Sequence, residues 1–485
     1  MLDVTAVIVA LPDMARDLRG DLADIQFVVD AYALALAALL LNMGALADRV
    51  GRRRIFLAGL VLFGLASALC AVASSTAWLV GARAIQGAGG AMLFATGLAL
   101  LGAIYEGHDR AKALGAFGAV FGAAVAVGPL VGGLVLELAD WRWIFFINLP
   151  IVAIAIVIAV RHVAESRDPS PRAVDLPGQL TFALGIAAFV VALVKGEDLG
   201  WGSTAIVGLL AASIASLAAF AVIEARRRSP MFDLALLRDR SFSGAAIAAF
   251  ATSASLFGMF VYLLLWLQRV QGLDSLGAGM RLLPVTLLAF VAAAAAGRLS
   301  HRVPPRPVLV LALASTAAGL LQMTMLGPAD SWAVALPGLI LCGLGFGLAN
   351  PTVASVTLTV APPDRSSTAI GMNSTFRQVG VATGVAALGA VFDSAIGGQA
   401  SEVVPSADQL GSAVPAAVQA AFAEGLDRVF VVGAIIAGVG ALLAFALVRA
   451  PASPAGAVNR DVPRSGSAAV GGSDAPARRP ARQEG

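Results

Sequence analysis

The chain has 485 residues, of which 59% are hydrophobic and only 13% are charged. A composition this apolar excludes an ordinary soluble domain, and the net charge of +3 does not indicate a nucleic-acid partner, because the arginines lie in short breaks between apolar runs. The sequence therefore predicts an all-α protein that crosses a lipid bilayer many times.

Fourteen apolar segments of helical length are predicted along the chain. In chain order they cover residues 2–12, 27–46, 55–74, 77–104, 111–136, 143–160, 177–195, 203–223, 243–268, 280–297, 306–326, 332–353, 368–393 and 427–448. The first segment supplies about ten residues before Pro12, which is roughly half of a bilayer at about 1.5 Å per residue. We expect this first transmembrane helix to be truncated, with the native start lying upstream of Met1.

The distribution of basic residues predicts the topology. Most of the arginines lie in loops after even-numbered segments, among them Arg49, Arg52, Arg53, Arg54, Arg226, Arg227 and Arg228. Such loops face the cytoplasm under the positive-inside rule. We expect a multi-pass protein of the plasma (inner) membrane with both termini in the cytoplasm.

An internal repeat divides the chain. The turn GALADRVGRR at Gly44 resembles GRLSHRVPPR at Gly297. Glycines recur at nearly the same offset, pairing Gly87 with Gly343, Gly89 with Gly345 and Gly133 with Gly389. Two homologous six-helix halves are what a secondary transporter needs for alternating access. The predicted domains are an N-terminal six-helix bundle at 1–160, central loops with two inserted transmembrane helices at 161–242, a C-terminal six-helix bundle at 243–450 and a disordered cytoplasmic tail at 451–485.

Polar side chains inside the apolar runs are the first candidates for function. Asp3 and Asp30 lie in segments 1 and 2, and Arg83 lies in segment 4. An ionised side chain at the bilayer centre costs at least about 2.5–3.5 kcal/mol on insertion scales, so it needs a partner, water or a function. A carboxylate there can take up a proton from one side and release it to the other. Alternatively, Arg83 extends to the membrane surface and Asp30 is solvated at its helix end.

Two further candidates lie in the second half of the chain. Arg377 and Gln378 introduce polarity into segment 13, where the matching segment of the repeat carries Phe121 and Gly122. Polarity on one side of a repeated pair indicates a specialised role. We expect these two side chains to contact the substrate or to take part in coupling.

The loop GALADRVGRRR joins segments 2 and 3. Its candidate gating residues are Gly44, Asp48, Arg49, Gly51, Arg52 and Arg53. The glycines allow a tight turn, and the carboxylate amid guanidinium groups is expected to act at the cytoplasmic face. A basic loop that merely follows the positive-inside rule is the alternative.

This loop resembles the signature of the major facilitator superfamily, and the resemblance extends over residues 1–450. LDVTAVIVALP, WRWIFFINLPI and STFRQVG resemble its fourteen-helix drug:proton antiporter branch. ARAIQGAGGAM resembles the helix-4 motif, which implies a role in proton coupling for Arg83 and Gln86. GAAVAVGPLVGG resembles the helix-5 motif of exporters, and its matching residues here are Gly128, Pro129, Gly132 and Gly133.

The resemblance implies a proton-coupled exporter of amphipathic drugs or antibiotics that is not an enzyme and needs no cofactor. Its expected partners are a small amphipathic substrate, protons and the lipid bilayer. No G-x-x-x-x-G-K-[ST] sequence occurs, so the chain is not expected to contain an ATP site. Two alternatives remain open, namely an exporter of a small endogenous metabolite with the same fold and a transport-inactive membrane sensor or scaffold.

Overall fold

The structure is a computed structural model, and it describes residues 2–104, 120, 124, 127–167, 175–227, 232–299, 303–327, 330–361, 366–396 and 416–449. The α-helices of these residues are α1 (Leu2–Leu18), α2 (Leu22–Val50), α3 (Arg52–Ala71), α4 (Thr76–Ile104), α5 (Val127–Leu138), α6 (Arg142–Phe146), α7 (Asn148–His162), α8 (Leu176–Leu199), α9 (Thr204–Arg226), α10 (Arg240–Arg269), α11 (Ser275–Leu299), α12 (Pro305–Met323), α13 (Leu336–Val360), α14 (Ser366–Ile396) and α15 (Ala416–Leu447). Short 3₁₀ helices cover Leu236–Arg238 and Trp332–Ala335. The predicted all-α fold is confirmed.

Twelve spans in the described part of the chain are long and apolar enough to cross a membrane, and α6 and α7 together form one of them. The other two predicted segments correspond to α1, with 17 residues, and to α5, most of whose predicted first half lies outside the described residues. The count of fourteen spans is therefore not confirmed. The predicted tail at 451–485 also lies outside the described residues.

The prediction that the first helix stops at Pro12 is wrong. Helix α1 continues through Pro12 to Leu18. Proline removes one backbone hydrogen bond, but helices packed inside a membrane bundle tolerate it where neighbouring groups surround the break. Pro12 and the leucine before it are buried among the other helices.

Several helices extend beyond their apolar runs. Helix α15 begins at Ala416 rather than at 427, because the alanine-rich stretch before the apolar run also favours a helix. Helix α2 begins at Leu22, where Asp21 and Asp24 form a capping box with bonds of 2.8 and 3.1 Å to each other's backbone N–H. Apolar length alone underestimates such helices.

Helix α10 lies at the centre of the bundle. It is the most deeply buried of the spans and packs against α12, α13, α14 and α15, and also against α1. A helix that is apolar on all sides is expected at such a position. We call α1–α7 the first helix group, α10–α15 the second helix group, and the boundary between them the seam.

Glycines of the internal repeat occupy equivalent packing positions. Gly87 of α4 lies against the backbone carbonyl of Tyr32 on α2, and Gly343 of α13 lies in the same way against that of Val285 on α11. Small residues let helices in a membrane approach closely. The pair α2 and α4 is therefore packed like the pair α11 and α13.

Two glycines that match in the repeat each contact the opposite helix group across the seam. Gly133 of α5 lies against the backbone of Leu276 on α11, and Gly389 of α14 lies against Gln26 on α2. Because α2 and α11 are equivalent in the repeat, the two contacts are reciprocal. They supply close packing on both sides of the seam.

The helix pair α8 and α9 is attached to both groups. On the side of the first group, the Asn42 amide donates to the Asp175 backbone oxygen at 2.9 Å and to the Gln179 side chain, while the Asp175 N–H donates to Asn42 Oδ1 at 3.2 Å. On the side of the second group, Phe232, which follows α9, contacts Phe376 of α14 at a ring distance of 5.6 Å. The pair therefore lies across the seam.

Candidate functional site

Asp3 and Arg83 form an ion pair in the interior of the first helix group. Arg83 Nη1 lies 2.7 Å from Asp3 Oδ2, and the two side chains are 1% and 5% exposed for Arg83 and Asp3 respectively. Sequence reasoning selected both residues as polar groups in apolar helices. The structure brings them together from α1 and α4.

Gln86, one turn after Arg83, completes the pair. Its Oε1 accepts a bond of 2.6 Å from Arg83 Nη1, and its Nε2 donates to Asp3 Oδ1 at 3.1 Å and to Ser67 Oγ at 2.9 Å. Residues three apart on a helix are neighbours on one face, which explains how Gln86 reaches both ions. The R-x-x-Q spacing is thus a geometric requirement of this network.

Asn148 and Ser67 belong to the same network and were missed by the sequence analysis. Asn148, the first residue of α7, donates to Asp3 Oδ1 at 2.8 Å and to Ser67 Oγ at 3.3 Å. Both side chains are buried. The available signal was an asparagine within the apolar stretch WRWIFFINLPI, which the same logic as for Arg83 would have selected.

Arg83 does not extend to the membrane surface, so that alternative is wrong. Its Nε donates to the Val28 carbonyl of α2 at 3.2 Å, and its guanidinium carbon lies 4.4 Å from the centre of the Tyr32 ring. A guanidinium over an aromatic face gains a cation–π attraction that is largest where water is excluded. The arginine is therefore fixed by α2 as well as by Asp3.

Three side chains donate to the Asp3 carboxylate. They are Arg83, Gln86 and Asn148, and hydrogen bonds to an ionised acceptor are shorter and stronger than neutral ones. Protonation of Asp3 would weaken its bond with Arg83. The network can therefore convert the uptake of one proton into a change in how α1, α4 and α7 hold together.

An Asn148→Leu variant is expected to lose thermal stability. Leucine has a similar volume but cannot donate to Asp3, and a hydrogen bond to a charged group contributes about 1.5–3 kcal/mol. The matched control is Asn350→Leu, because the Asn350 amide donates to Phe346 in its own helix at 3.1 Å. Thermal unfolding of the detergent-solubilised proteins measures the difference. Equal unfolding temperatures for the two variants would contradict the role of Asn148.

Asp30 is fully buried on α2, so the alternative of a solvated residue at a helix end is wrong. The helix begins at Leu22, eight residues earlier, and α4, α14 and α8 pack against it. Asp30 is not part of the Asp3 network. Neither of its oxygens has a hydrogen-bond partner among the described residues.

The turn of the loop GALADRVGRRR lies at Gly51, and the turn predicted at Gly44 is wrong. Helix α2 continues past Gly44 to Val50, and α3 begins at Arg52. Gly51 has a φ of 127°, a backbone conformation that residues with a side chain rarely adopt. The predicted role of glycine in the turn therefore applies to one of the two positions.

The charged residues of this loop join α2 to α3, and they also join the loop to the end of α7 and the segment that follows it. Asp48 and Arg52 form an ion pair of 2.9 Å. The Arg53 N–H donates to Glu165 at 3.1 Å and its guanidinium to the Val160 carbonyl at 2.6 Å. Arg49 is exposed. Glu165, which follows α7, was missed because no pattern in the sequence linked it to the loop.

The helix-5 candidates lie in a tight contact between α1 and α11. A side chain at Gly132 would meet the backbone of Ala6, and one at Gly133 would meet that of Leu276 at about 2.6 Å. Gly128 and Pro129 are buried, and the Pro129 carbonyl lies against Gly279 of α11. Backbone thus packs directly on backbone here, at the seam between the helix groups.

Arg377 and Gln378 lie on α14, in the second helix group. Gln378 is buried, and Arg377 is partly buried. The Asp3 network consists of residues of the first group, so the structure does not join the two predicted sets into one site. Their predicted role in substrate contact or coupling stays a prediction.

Comparisons with known proteins agree with this architecture. The family model described as Major Facilitator Superfamily matches residues 1–385. The chain is 34% identical over 391 residues to the multidrug resistance protein Stp of Mycobacterium tuberculosis (strain CDC 1551 / Oshkosh), covering 80% of this chain and 73% of that protein. It is 38% identical over 398 residues to the puromycin resistance protein pur8 of Streptomyces alboniger, covering 81% and 78% of the two chains.

A solved structure shows the same fold at much lower sequence identity. The human organic anion transporter MFSD10 (TETRAN) superposes with a TM-score of 0.61 at 17% identity, covering 91% of this chain and 96% of that one. At this identity the likeness concerns the fold alone. It includes nearly the whole length of both chains.

Proposed function

Because the chain belongs to the major facilitator superfamily, we propose that it is a proton-coupled exporter of amphipathic drugs or antibiotics. The buried network of Asp3, Arg83 and Gln86 is the observation that carries the coupling. The arginine-rich loops support a plasma-membrane protein with both termini in the cytoplasm. A transporter of this family is not an enzyme.

Proton coupling follows from the chemistry of the ion pair. When a proton binds Asp3, the carboxylate becomes neutral and its attraction for Arg83 is lost. Arg83 keeps its bonds to Gln86 and to the Val28 carbonyl, so the positive charge stays in place while α1 is released. Release of the proton to the other side of the membrane restores the pair.

The proposed substrate class rests on the relatives and on an apolar depression. The matched relatives are resistance proteins for several drugs in one case and for puromycin in the other. In the second helix group, a small apolar depression lies between α10, α11 and α13. Phe257, Phe260 and Phe346 line it, and the hydroxyl of the neighbouring Thr286 donates to the Leu283 carbonyl of its own helix at 3.1 Å. Such a wall suits an aromatic or aliphatic portion of a substrate.

The domain division is part of the proposal. We place the two six-helix bundles at 1–160 and 243–450, with the central region at 161–242 contributing the inserted pair α8 and α9. The equivalent glycine contacts in the two groups and the reciprocal contacts across the seam support this division. Rocking of one bundle against the other would then give alternating access.

The test is substrate-driven proton movement in inverted membrane vesicles. Vesicles with an acidic interior and a pH-sensitive fluorophore receive ethidium or puromycin from outside. We expect protons to leave the interior when either compound enters, and vesicles without the protein to show no such response. Absence of proton movement with both compounds, in vesicles where the protein is present and folded, would overturn the proposal.

A further inference from the structure

Asp30 and Asp3 are both buried, but their surroundings are opposite. Asp3 accepts hydrogen bonds from three side chains, including Arg83. Asp30 is fully buried, and among the described residues neither of its oxygens has a hydrogen-bond donor. An ionised carboxylate in an apolar interior without a partner is strongly unfavourable. Asp30 is therefore neutral in this conformation.

Gln26, one turn before Asp30, also has a buried oxygen without a hydrogen-bond donor among the described residues. Its Nε2 donates to the Tyr262 hydroxyl at 3.0 Å, but its buried Oε1 also has no partner among the described residues. Residues four apart on a helix lie next to each other on one face. The two side chains therefore share one face of α2, each with an acceptor oxygen that has no donor among the described residues, and a proton on Asp30 supplies a donor on that face.

The hydrogen bonds then continue across the seam. Tyr262 of α10 donates to the Val385 carbonyl of α14 at 3.4 Å, and its ring stacks on Phe392 at a distance of 4.9 Å. Gly389 of α14 lies against both Gln26 and the Tyr262 hydroxyl. The chain of bonds therefore joins α2 of the first group to α10 and α14 of the second.

We propose that a proton on Asp30 completes this chain of hydrogen bonds and holds the seam closed, and that the seam opens when the proton leaves. We call this proton-dependent contact the latch. The neutral carboxyl donates to Gln26 Oε1, Gln26 donates to Tyr262, and Tyr262 donates to the Val385 carbonyl. Loss of the proton removes the first donor and leaves a negative charge in the seam, which water can solvate only if α2 separates from the second group. The inference rests on the proposed function, because that function supplies the proton.

Other charged groups do not neutralise Asp30. The elements around it carry the following charged or titratable side chains: Arg240, Tyr262 and Arg269 on α10, Arg377 and Asp393 on α14, Lys195, Glu197 and Asp198 on α8, Asp21, Asp24, Tyr32, Asp48 and Arg49 at or on α2, and Arg83 on α4. None of the described ones forms an ion pair with Asp30, since Arg83 binds Asp3 and Lys195 binds Asp198 and Asp21. Ionisation of Asp30 is therefore the event that changes this part of the seam.

Spin labels on both sides of the seam test the latch. The exposed residues Ser74, in the turn after α3, and Ser394, on α14, are changed to cysteine in a background with Cys70→Ala and Cys342→Ala. Electron–electron distance measurements are made on the full chain from acid to alkaline pH. We expect a short distance at acid pH, where Asp30 is neutral, and a population with a longer distance at alkaline pH.

Two variants and one control make the result specific. Asp30→Asn keeps a donor for Gln26 but cannot ionise, so its distance should stay short at every pH. Gln26→Leu breaks the chain, so the longer distance should appear already at acid pH. Asp393→Asn, which changes another acid near the same end of the bundle, should keep the pH dependence of the unmodified seam.

If the seam of Asp30→Asn opened with the same pH dependence as that of the unmodified protein, the latch would be overturned. A distance that stays short at every pH in the protein with Asp30 intact would overturn it too. The distance measurement requires no substrate and no transport. Failure of the latch is thereby distinguishable from failure of the proposed export function, which the vesicle experiment measures by itself.

Discussion

Asp3→Asn is expected to abolish substrate-driven proton movement in inverted vesicles. Asparagine keeps the shape of the side chain but cannot bind and release a proton. Its amide would also face the donors of Arg83, Gln86 and Asn148, and Arg83 would remain as a buried charge without its counter-ion. Breaking a buried pair in this way costs about 3–5 kcal/mol. That cost reduces folding stability, whereas the loss of the proton-binding group should reduce coupled proton movement to the level of vesicles without the protein.

A double variant separates coupling from folding. Asp3→Asn combined with Arg83→Gln removes both charges, so it should regain part of the thermal stability lost in Asp3→Asn but none of the proton coupling. Asp198→Asn is the matched control, because Asp198 pairs with Lys195 and is half exposed, and an exposed pair contributes little. Coupled transport at the normal rate in Asp3→Asn would exclude Asp3 as the coupling residue.

Gly133→Leu is expected to prevent the seam from closing. A Cβ at this position would lie about 2.6 Å from Leu276 Cα and 2.7 Å from the Ser275 carbonyl oxygen, which are backbone atoms that no side-chain rotation can move. The helices α5 and α11 must then separate, and overpacking of this kind costs about 1–3 kcal/mol or more. We expect transport in inverted vesicles to fall more than about tenfold, because one of the two alternating conformations is lost.

Gly438→Leu controls for the change of glycine to leucine. Among the described residues, no atom lies within 4 Å of a Cβ at Gly438 on α15, so this variant adds a side chain to a transmembrane helix without a clash with them. It should transport at the normal rate. Cross-linking between α5 and α11 would report the separation directly. Normal transport by Gly133→Leu would show that this close contact is not needed.

Asp3, Arg83 and Gln86 could be selected from the sequence as candidate residues, whereas the contact of Asn148 with Asp3 could not be predicted. Asp3 and Arg83 are conspicuous because charges are costly in an apolar helix, and Gln86 follows from the spacing on one helical face. Asn148 contributes equally to the network, but its contact joins residues 145 positions apart. A single sequence contains no measure of such a distance. Only the resemblance drew attention to the stretch that contains it.

Helix boundaries and burial were harder to predict than helix type. Apolar runs identify membrane-spanning stretches, but α2 and α15 continue into polar residues that also favour helices. The early start of α2 placed Asp30 inside the bundle rather than at its end. Gly44 shows the converse error, since a glycine that could form a turn remains within a helix. Local preference permits a turn, and packing decides whether one occurs.

The bond between Asn42 and the start of α8 bears on the biogenesis of the protein. Asn42 and its partner Asp175 are separated by 133 positions, and both side chains are fully buried. While the ribosome synthesises the chain, α2 enters the membrane long before Asp175 and Gln179 are made. The Asn42 amide thus spends that interval in the bilayer without its native acceptors, which is unfavourable. The native contacts of the early helices are therefore complete only once α8 is in place.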